Sequence, residues 1–113
     1  MKYINATINN KGIYIKICKG FFSKSIGLMF SRKLKDNMGL LMEFNKEGRW
    51  MIHMLFVFFP LDVVWLDENM RVVDVQKGNP FDLLLIPKKK AKYVLELNAG
   101  SGIKIKDKLK IYK

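Results

Sequence analysis

The sequence has few of the residues that build disulfide-held or metal-held folds. Among its 113 residues there is one cysteine, Cys18, and one histidine, His53. A single thiol cannot close an internal disulfide, and one thiol with one histidine cannot complete a structural zinc site. We therefore predict a fold held by packing alone, with no metal and no other cofactor.

Long hydrophobic runs are also missing. The longest, residues 54–61, is far short of the roughly 20 residues that a membrane-spanning helix needs, and Pro60 lies within it. The N-terminus carries polar residues every few positions and lacks the apolar stretch of a secretory signal. No Pro-, Gly- or Ser-rich linker divides the chain. We expect a cytoplasmic protein that does not bind membranes, a single domain over residues 1–113, and a monomer or weak dimer.

Arginine is scarce in a strongly basic chain. The net charge is +11, yet of 21 basic residues only Arg32, Arg49 and Arg71 are arginines. A lysine-rich surface attracts nucleic acid through counterion release, but lysine lacks the bidentate fork that recognises phosphates and guanine edges. We therefore favour a solvated face over nucleic-acid binding. The lysines that would serve such binding lie near the C-terminus: Lys88, Lys89, Lys90, Lys104, Lys106 and Lys108.

Apolar and polar residues alternate with the two-residue period of β-strands in several segments. The alternation predicts half-buried strands at 13–18 and 103–111. Residues 51–59, apolar at nearly every position, predict a central strand covered on both faces. Shorter runs predict strands at 40–44, 61–66, 70–75 and 93–97, and Asp67, Glu68 and Asn69 would join 61–66 to 70–75 as a hairpin.

One segment has the apolar spacing of a helix. It runs from Lys24 to about Ser31, and Ser23 is placed to cap it. Together with the strands, this predicts a mainly β protein: a compact antiparallel sandwich or barrel with one or two short helices.

Five segments carry a family resemblance. SKSIGLMFSRKL (23–34), MGLLMEF (38–44), WMIHMLFVFFPLDVVWLDENMRVVDV (50–75), NPF (79–81) and YVLELNAGSG (93–102) resemble, in order and spacing, the domain of unknown function 192, in an archaeal-type member. The resemblance implies a mainly β, jelly-roll-like sandwich or barrel, and it implies no activity, substrate or cofactor. Two positions depart from the family pattern, because Lys24 stands where arginine is common and Lys106 where a glycine usually precedes the acid Asp107.

His53 and Asp62 are the polar residues that stand out in the most apolar part of the chain. They could form the proton-transfer pair of an enzyme. A lone histidine on an apolar face is more often a core residue than a catalyst. A buried carboxylate must find hydrogen-bond donors, so Asp62 could instead latch the turn at Pro60. We favour these structural roles, since the sequence has neither a nucleophile elbow nor a phosphate-binding loop.

The leading hypothesis is a binding module for a small molecule or a peptide. Its groove would lie near the two ends of the segment 50–66. An enzyme that uses His53 and Asp62, and a nucleic-acid binder that uses the lysines, are the alternatives. The residues expected to contact a ligand are Arg32, Arg49, Trp50, His53, Asp62 and Asn79.

Overall fold

Seven strands in the described part of the chain form one curled sheet. The computed structural model describes residues 3–18, 37–52, 58–82 and 84–112. The strand order across the sheet is β5-β4-β6-β3-β2-β1-β7, and neighbours are antiparallel except β2 and β3, which run parallel. The strands are β1 (Tyr3–Ile8), β2 (Lys11–Cys18), β3 (Met38–Gly48), β4 (Leu61–Leu66), β5 (Val72–Gly78), β6 (Ala91–Asn98) and β7 (Leu109–Tyr112).

Apolar side chains from all seven strands meet on the inner side of the sheet. Strand side chains point alternately to the two faces, so every second residue of each strand contributes to this side. Burial of such apolar surface is the main favourable term in folding. We call the buried set the inner core: Ala6, Ile8, Ile15, Leu41, Val64, Leu66, Val72, Leu95, Leu97, Ile103 and Leu109.

A second buried cluster lies on the outer side of the central strands. Trp65 is fully buried there, and its indole N–H donates to the carbonyl oxygen of Trp50 at 2.9 Å. Ile52, Phe59 and Leu85 cover the cluster from outside the strands, so β4, most of β6 and the first half of β3 are buried on both faces. The buried set, the outer core, is Cys18, Leu40, Met42, Ile52, Phe59, Leu61, Val63, Trp65, Leu85, Ala91 and Val94.

The two edges of the sheet meet at one end. The backbone N–H of Val72, the first residue of β5, donates to the carbonyl of Asp107 at 2.8 Å. The N–H of Lys106 donates to the carbonyl of Val72 at 2.9 Å, and Arg71 and Lys108 form an antiparallel bridge. The sheet is therefore a half-barrel whose edge strands β5 and β7 are joined where β5 begins.

The predicted fold class is confirmed, with one strand pair parallel instead of antiparallel. The hairpin is confirmed as β4 and β5, and it is closed by Asp67, whose carboxylate accepts the N–H groups of Asn69 and Arg71. The runs 13–18, 40–44, 61–66 and 93–97 all fall within strands.

The predicted strand at 103–111 is wrong for most of its length, because β7 covers only Leu109–Tyr112. The preceding residues turn: Lys106 has a φ of 81°, and Ile105 is 54% exposed. The alternation breaks there because Ile103 is buried and Ile105 is not.

The predicted central strand at 51–59 is described only at its ends. Ile52 makes a single bridge with Leu85, and residues 58–60 belong to no strand. Met51 and Phe58 are 60% and 56% exposed. In the described part of the chain, the central place in the sheet belongs to β3.

Some expectations fall outside what the structure describes. The helix predicted at 24–31 lies outside the described residues. Within the described ranges, no helix is long and apolar enough to cross a membrane. The cytoplasmic location, the single domain and the oligomeric state stay predictions.

Gly39 of β3 packs against β6 with little room for a side chain, and a substitution can test this packing. A Cβ atom on Gly39 of β3 would lie 2.5 Å from Cδ2 of Leu97 and 3.2 Å from the carbonyl oxygen of Glu96 on β6. We expect Gly39→Ala to lower the free energy of unfolding by about 1–3 kcal/mol, as overpacking does elsewhere. Chemical denaturation measures it. Gly12→Ala is the control, since a Cβ there meets nothing within 4 Å, and equal losses in both variants would contradict the account.

Candidate functional site

Asp62 ties β4 to the loop after β6. Its carboxylate accepts hydrogen bonds from the backbone N–H of Ser101 at 2.8 Å and from the Ser101 hydroxyl at 2.5 Å. The N–H of Ala99 in the same loop donates to the carbonyl of Pro60 at 3.4 Å. Asp62 thus has the hydrogen-bonding pattern of a latch, although it holds the 99–101 loop and not only the turn at Pro60.

Trp50 and Arg49 make internal contacts at the other end of β4. The Trp50 ring stacks on Phe44 with centroids 4.4 Å apart and an interplanar angle of 8°. Its indole N–H donates to the carbonyl of Lys46 at 3.1 Å. The Arg49 guanidinium donates through Nε to the carbonyl of Pro87 at 3.0 Å. Both side chains hold the loops that cover the outer core.

The sheet separates Trp50 from Asp62. Trp50 packs against the outer core, and Asp62 has the strand parity of Val64 and Leu66, which belong to the inner core. The structure does not bring these two expected ligand contacts together. His53 and Arg32 lie outside the described residues, so a His53/Asp62 pair stays a prediction.

Asn79 directly follows β5, and Lys88, Lys89 and Lys90 precede β6. Asn79 is exposed and begins a turn in which its N–H donates to the Asp82 carboxylate at 2.9 Å. The buried carboxylate of Asp74 accepts the backbone N–H of Lys88 at 2.9 Å and the amide of Gln76 at 3.0 Å. This leaves the side chains of residues 88–90 exposed on the surface.

The other predicted lysines lie at the closed end of the half-barrel. Lys106 and Lys108 line an open cleft of about 480 Å³ together with Lys110. The backbone N–H of Lys104 donates to the Asp107 carboxylate at 2.8 Å. We call this the basic cleft; its lining residues are Thr7, Asn9, Asn10, Lys106, Asp107, Lys108, Lys110 and Tyr112.

Glu96 is a buried acid that the sequence reasoning missed as a candidate. It is 4% exposed on β6 and lies between Leu40 of β3 and Val63 of β4 on the outer side of the sheet. Burial raises the pKa of Glu96 from 4.5 to about 7. The signal was an acid within the apolar run YVLELN.

Cys18 shares the outer side of the sheet with Glu96. Burial raises the pKa of the Cys18 thiol; Lys16 lowers that pKa and Glu96 raises it further. A thiol with a raised pKa is a poor nucleophile. Within the described ranges, no group of three or more His, Cys, Asp or Glu side chains could hold a metal ion.

Comparison with known proteins places the chain in a family. The family model of DUF192, described as Uncharacterized ACR, matches residues 4–111. The chain belongs to the DUF192 family. A UPF0127 protein of Pyrococcus horikoshii is 33% identical over 100 residues, which are 85% of each chain. A UPF0127 protein of Thermococcus kodakarensis is 30% identical over 76% of this chain and 54% of its own length.

Two solved structures share the DUF192 fold seen here. One is a protein of unknown function from Novosphingobium aromaticivorans, with a TM-score of 0.88 and 24% identity over 96% of this chain and 84% of that chain. The other, from Sinorhizobium meliloti, is titled a putative transcription regulator; its TM-score is 0.88 at 20% identity over 97% of this chain and 92% of that chain. At these identities the likeness concerns the fold alone. DUF192 is an uncharacterised family, so membership in it assigns no activity to the chain.

The latch at Asp62 can be tested by one substitution. Asp62→Asn removes the charge that strengthens both hydrogen bonds from Ser101, so we expect a loss of about 1–2 kcal/mol in the free energy of unfolding. Chemical denaturation at neutral pH measures it. Asp82→Asn is the matched control, since Asp82 holds only its own turn with Asn79. A loss for Asp62→Asn no larger than that of the control would argue against the latch.

Glu96 predicts a pH dependence of stability. Its pKa in the folded protein is raised to about 7 from 4.5. As pH rises, the Glu96 carboxyl group therefore loses its proton at a lower pH in the unfolded state than in the folded state. As pH rises from about 4.5 to about 7, the free energy of unfolding should therefore fall, and above pH 7 it should level off. The size of the fall is roughly 1.4 kcal/mol for each unit of difference between the folded and unfolded pKa. Glu96→Gln should remove this fall, and denaturation at pH values on both sides of the window measures it.

The control for Glu96 is Glu68→Gln, which changes an exposed side chain. That variant should keep the pH dependence of the unsubstituted protein. Parallel stability curves for Glu96→Gln and the unsubstituted protein would show that the buried carboxyl group does not titrate as described.

Proposed function

We propose that the chain is a binding module for anionic ligands and that its anion site is the basic cleft. The observation that carries this proposal is the convergence of Lys106, Lys108 and Lys110 on one cleft of about 480 Å³. Like charges held close together repel one another, and a bound anion relieves that repulsion. A cleft of this size has room for a phosphate-bearing group.

The charges around the cleft favour an anion. Asp107 is the one acid among the lining residues, and its carboxylate already accepts the backbone N–H of Lys104. Three lysines and one acid line the cleft, so its lining carries a net positive charge that attracts anions.

The closure of the half-barrel fixes the backbone around the cleft. Lys106, Asn9 and Asn10 have φ values of 81°, 52° and 61°, which place the β1–β2 turn and the segment before β7 in defined left-handed conformations. Lys106 is also bonded through its N–H to Val72. A preformed backbone lowers the entropy cost of binding.

A small molecule or peptide at the segment 50–66 is the second candidate. The observation that favours it is a set of exposed apolar side chains near that segment: Met51 is 60% exposed, and the Phe58 and Phe81 rings meet edge to face with centroids 5.4 Å apart. Exposed apolar groups that cluster together often mark binding surfaces. The described side chains of Trp50, Arg49 and Asp62 make internal contacts, which gives this candidate less support than the cleft has.

The anion site predicts a difference between the two lysine groups. Replacing Lys106, Lys108 and Lys110 together by glutamine should weaken heparin binding at low salt by at least about tenfold and reduce its salt dependence, because fewer counterions are released. Isothermal titration with heparin at several salt concentrations measures both effects. The control replaces Lys88, Lys89 and Lys90 by glutamine, which removes the same charge elsewhere. Equal losses in both triple variants would show that net charge alone, and not the cleft, attracts heparin.

A further inference from the structure

Three exposed tyrosines lie on the outer side of the strands next to the basic cleft. Tyr3, Tyr14 and Tyr112 are 45%, 44% and 53% exposed. On β1, β2 and β7 the isoleucines and leucines of the opposite parity face the inner core. The tyrosines therefore occupy the outer face of these strands, where about half of each aromatic side chain is exposed to solvent.

The strand register places these tyrosines around Asn5 on one stretch of the outer face. Asn5 of β1 is paired with Tyr14 of β2 on one side and with Tyr112 of β7 on the other. Strands lie about 4.8 Å apart, so Tyr14 and Tyr112 are separated by roughly 10 Å across Asn5. Tyr3 is paired with Lys16 and lies diagonally from Tyr14, at about 7–8 Å. We call these three side chains with Asn5 the tyrosine surface.

The tyrosine surface continues into the basic cleft. Tyr112 belongs to both, since it also lines the cleft, and its hydroxyl lies 3.3 Å from the Thr7 hydroxyl. Thr7 is paired with Lys110 on one side and with Gly12 on the other. A Cβ at Gly12 would meet nothing within 4 Å, so the surface between the tyrosines and the cleft is open.

Apart from Asp107 in the cleft, the charged side chains of this region are basic. Strands β1, β2 and β7 contain no acidic residue; Lys16 and Lys110 project on the same outer face as the tyrosines. A ligand that covers the region must therefore present negative charge to the lysines and flat aromatic or unsaturated groups to the tyrosines. Phosphates linked to exposed bases have both features.

We propose that single-stranded nucleic acid binds here, with its phosphates in the basic cleft and its bases on the tyrosine surface. This proposal rests on the anion site proposed above and names its ligand class. Base stacking on aromatic side chains beside a basic groove is the usual mode for single strands. A duplex keeps its base faces stacked inside the helix, so it can use the lysines but not the tyrosines.

The same surface sets the expected selectivity. The described residues of the cleft and the tyrosine surface include lysine and tyrosine but no arginine, and lysine does not give bidentate readout of base edges. Stacking accepts every base. The protein should therefore bind single strands with little sequence preference and in a salt-dependent manner.

The test is fluorescence anisotropy with a labelled oligothymidine of about 12 nucleotides, a length within the site sizes of single β-barrel domains. Each of Tyr3→Ala, Tyr14→Ala and Tyr112→Ala should raise the Kd for the oligonucleotide by at least about fivefold. Tyr3 and Tyr14 do not line the cleft, so Tyr3→Ala and Tyr14→Ala should leave heparin binding unchanged. The matching Tyr→Phe variants keep the rings and should bind normally. Phe81→Ala, which removes a 52% exposed ring elsewhere, is the control, and thermal unfolding checks that each variant is folded.

The outcomes separate this proposal from the anion site. If the Lys106, Lys108 and Lys110 variant loses heparin and oligonucleotide while Tyr3→Ala and Tyr14→Ala lose only the oligonucleotide, the proposal holds. If Tyr3→Ala and Tyr14→Ala bind the oligonucleotide normally, or lose heparin equally, base stacking is overturned and the anion site stands. Binding to anionic phospholipid vesicles without binding to the oligonucleotide would also overturn the proposal. Binding to neither heparin nor the oligonucleotide would overturn both.

Discussion

The backbone hydrogen bonds of Val72 are the contacts on which the candidate binding region depends. Val72 begins β5 at one edge of the sheet, yet its N–H and carbonyl bond to Asp107 and Lys106, just before the strand at the other edge. This closure holds the segment before β7 in place and fixes β7 beside β1. The segment that it holds lines the basic cleft, and the β7 strand that follows pairs Tyr112 with Asn5 of β1. Without it, the lysines of the cleft and Tyr112 would lie at a free edge of an open sheet.

Local sequence patterns predict much of the fold but not this closure. The alternation at 13–18 and the hairpin at 61–75 predict real strands, because a strand with one buried face needs that alternation wherever it pairs. Strand order and the parallel pairing of β2 with β3 depend on contacts between distant residues, which leave no local signal. Strand β1 alternates as well, with Asn5 and Thr7 between Ile4, Ala6 and Ile8. Its pattern is weak because the run is short and the inward residue at its centre, Ala6, is small.

The site is harder to predict than the fold, because its residues also come together through contacts between distant parts of the chain. Asp62 and Trp50 lie 12 positions apart in one apolar segment, but Asp62 has the parity of the inner-core residues of β4, whereas Trp50 packs against the outer core. Tyr112 is far from Tyr3 and Tyr14 in sequence, and it lies on the same surface only because β1 pairs with β7 as well as with β2. The lysines at 106 and 108 were visible from composition, whereas the tyrosines beside them were not.

Glu96 shows a different limit. The sequence places an acid in a run that ought to be buried, and the structure buries it. Such a group costs stability when it is ionised. It lies on the outer side of the central strands, away from β1 and β7, so it has no part in the proposed anion site.

The most direct test of the account is a map of backbone amide shifts by NMR when a short single-stranded oligonucleotide is added. We expect the largest shifts to cluster on β1, β2 and β7 and at Lys106 and Lys108, in the cleft and on the tyrosine surface. Shifts concentrated instead at Met51, Phe58 and the 79–86 segment would place the ligand at the other candidate site and contradict it. An absence of shifts anywhere would contradict it as well.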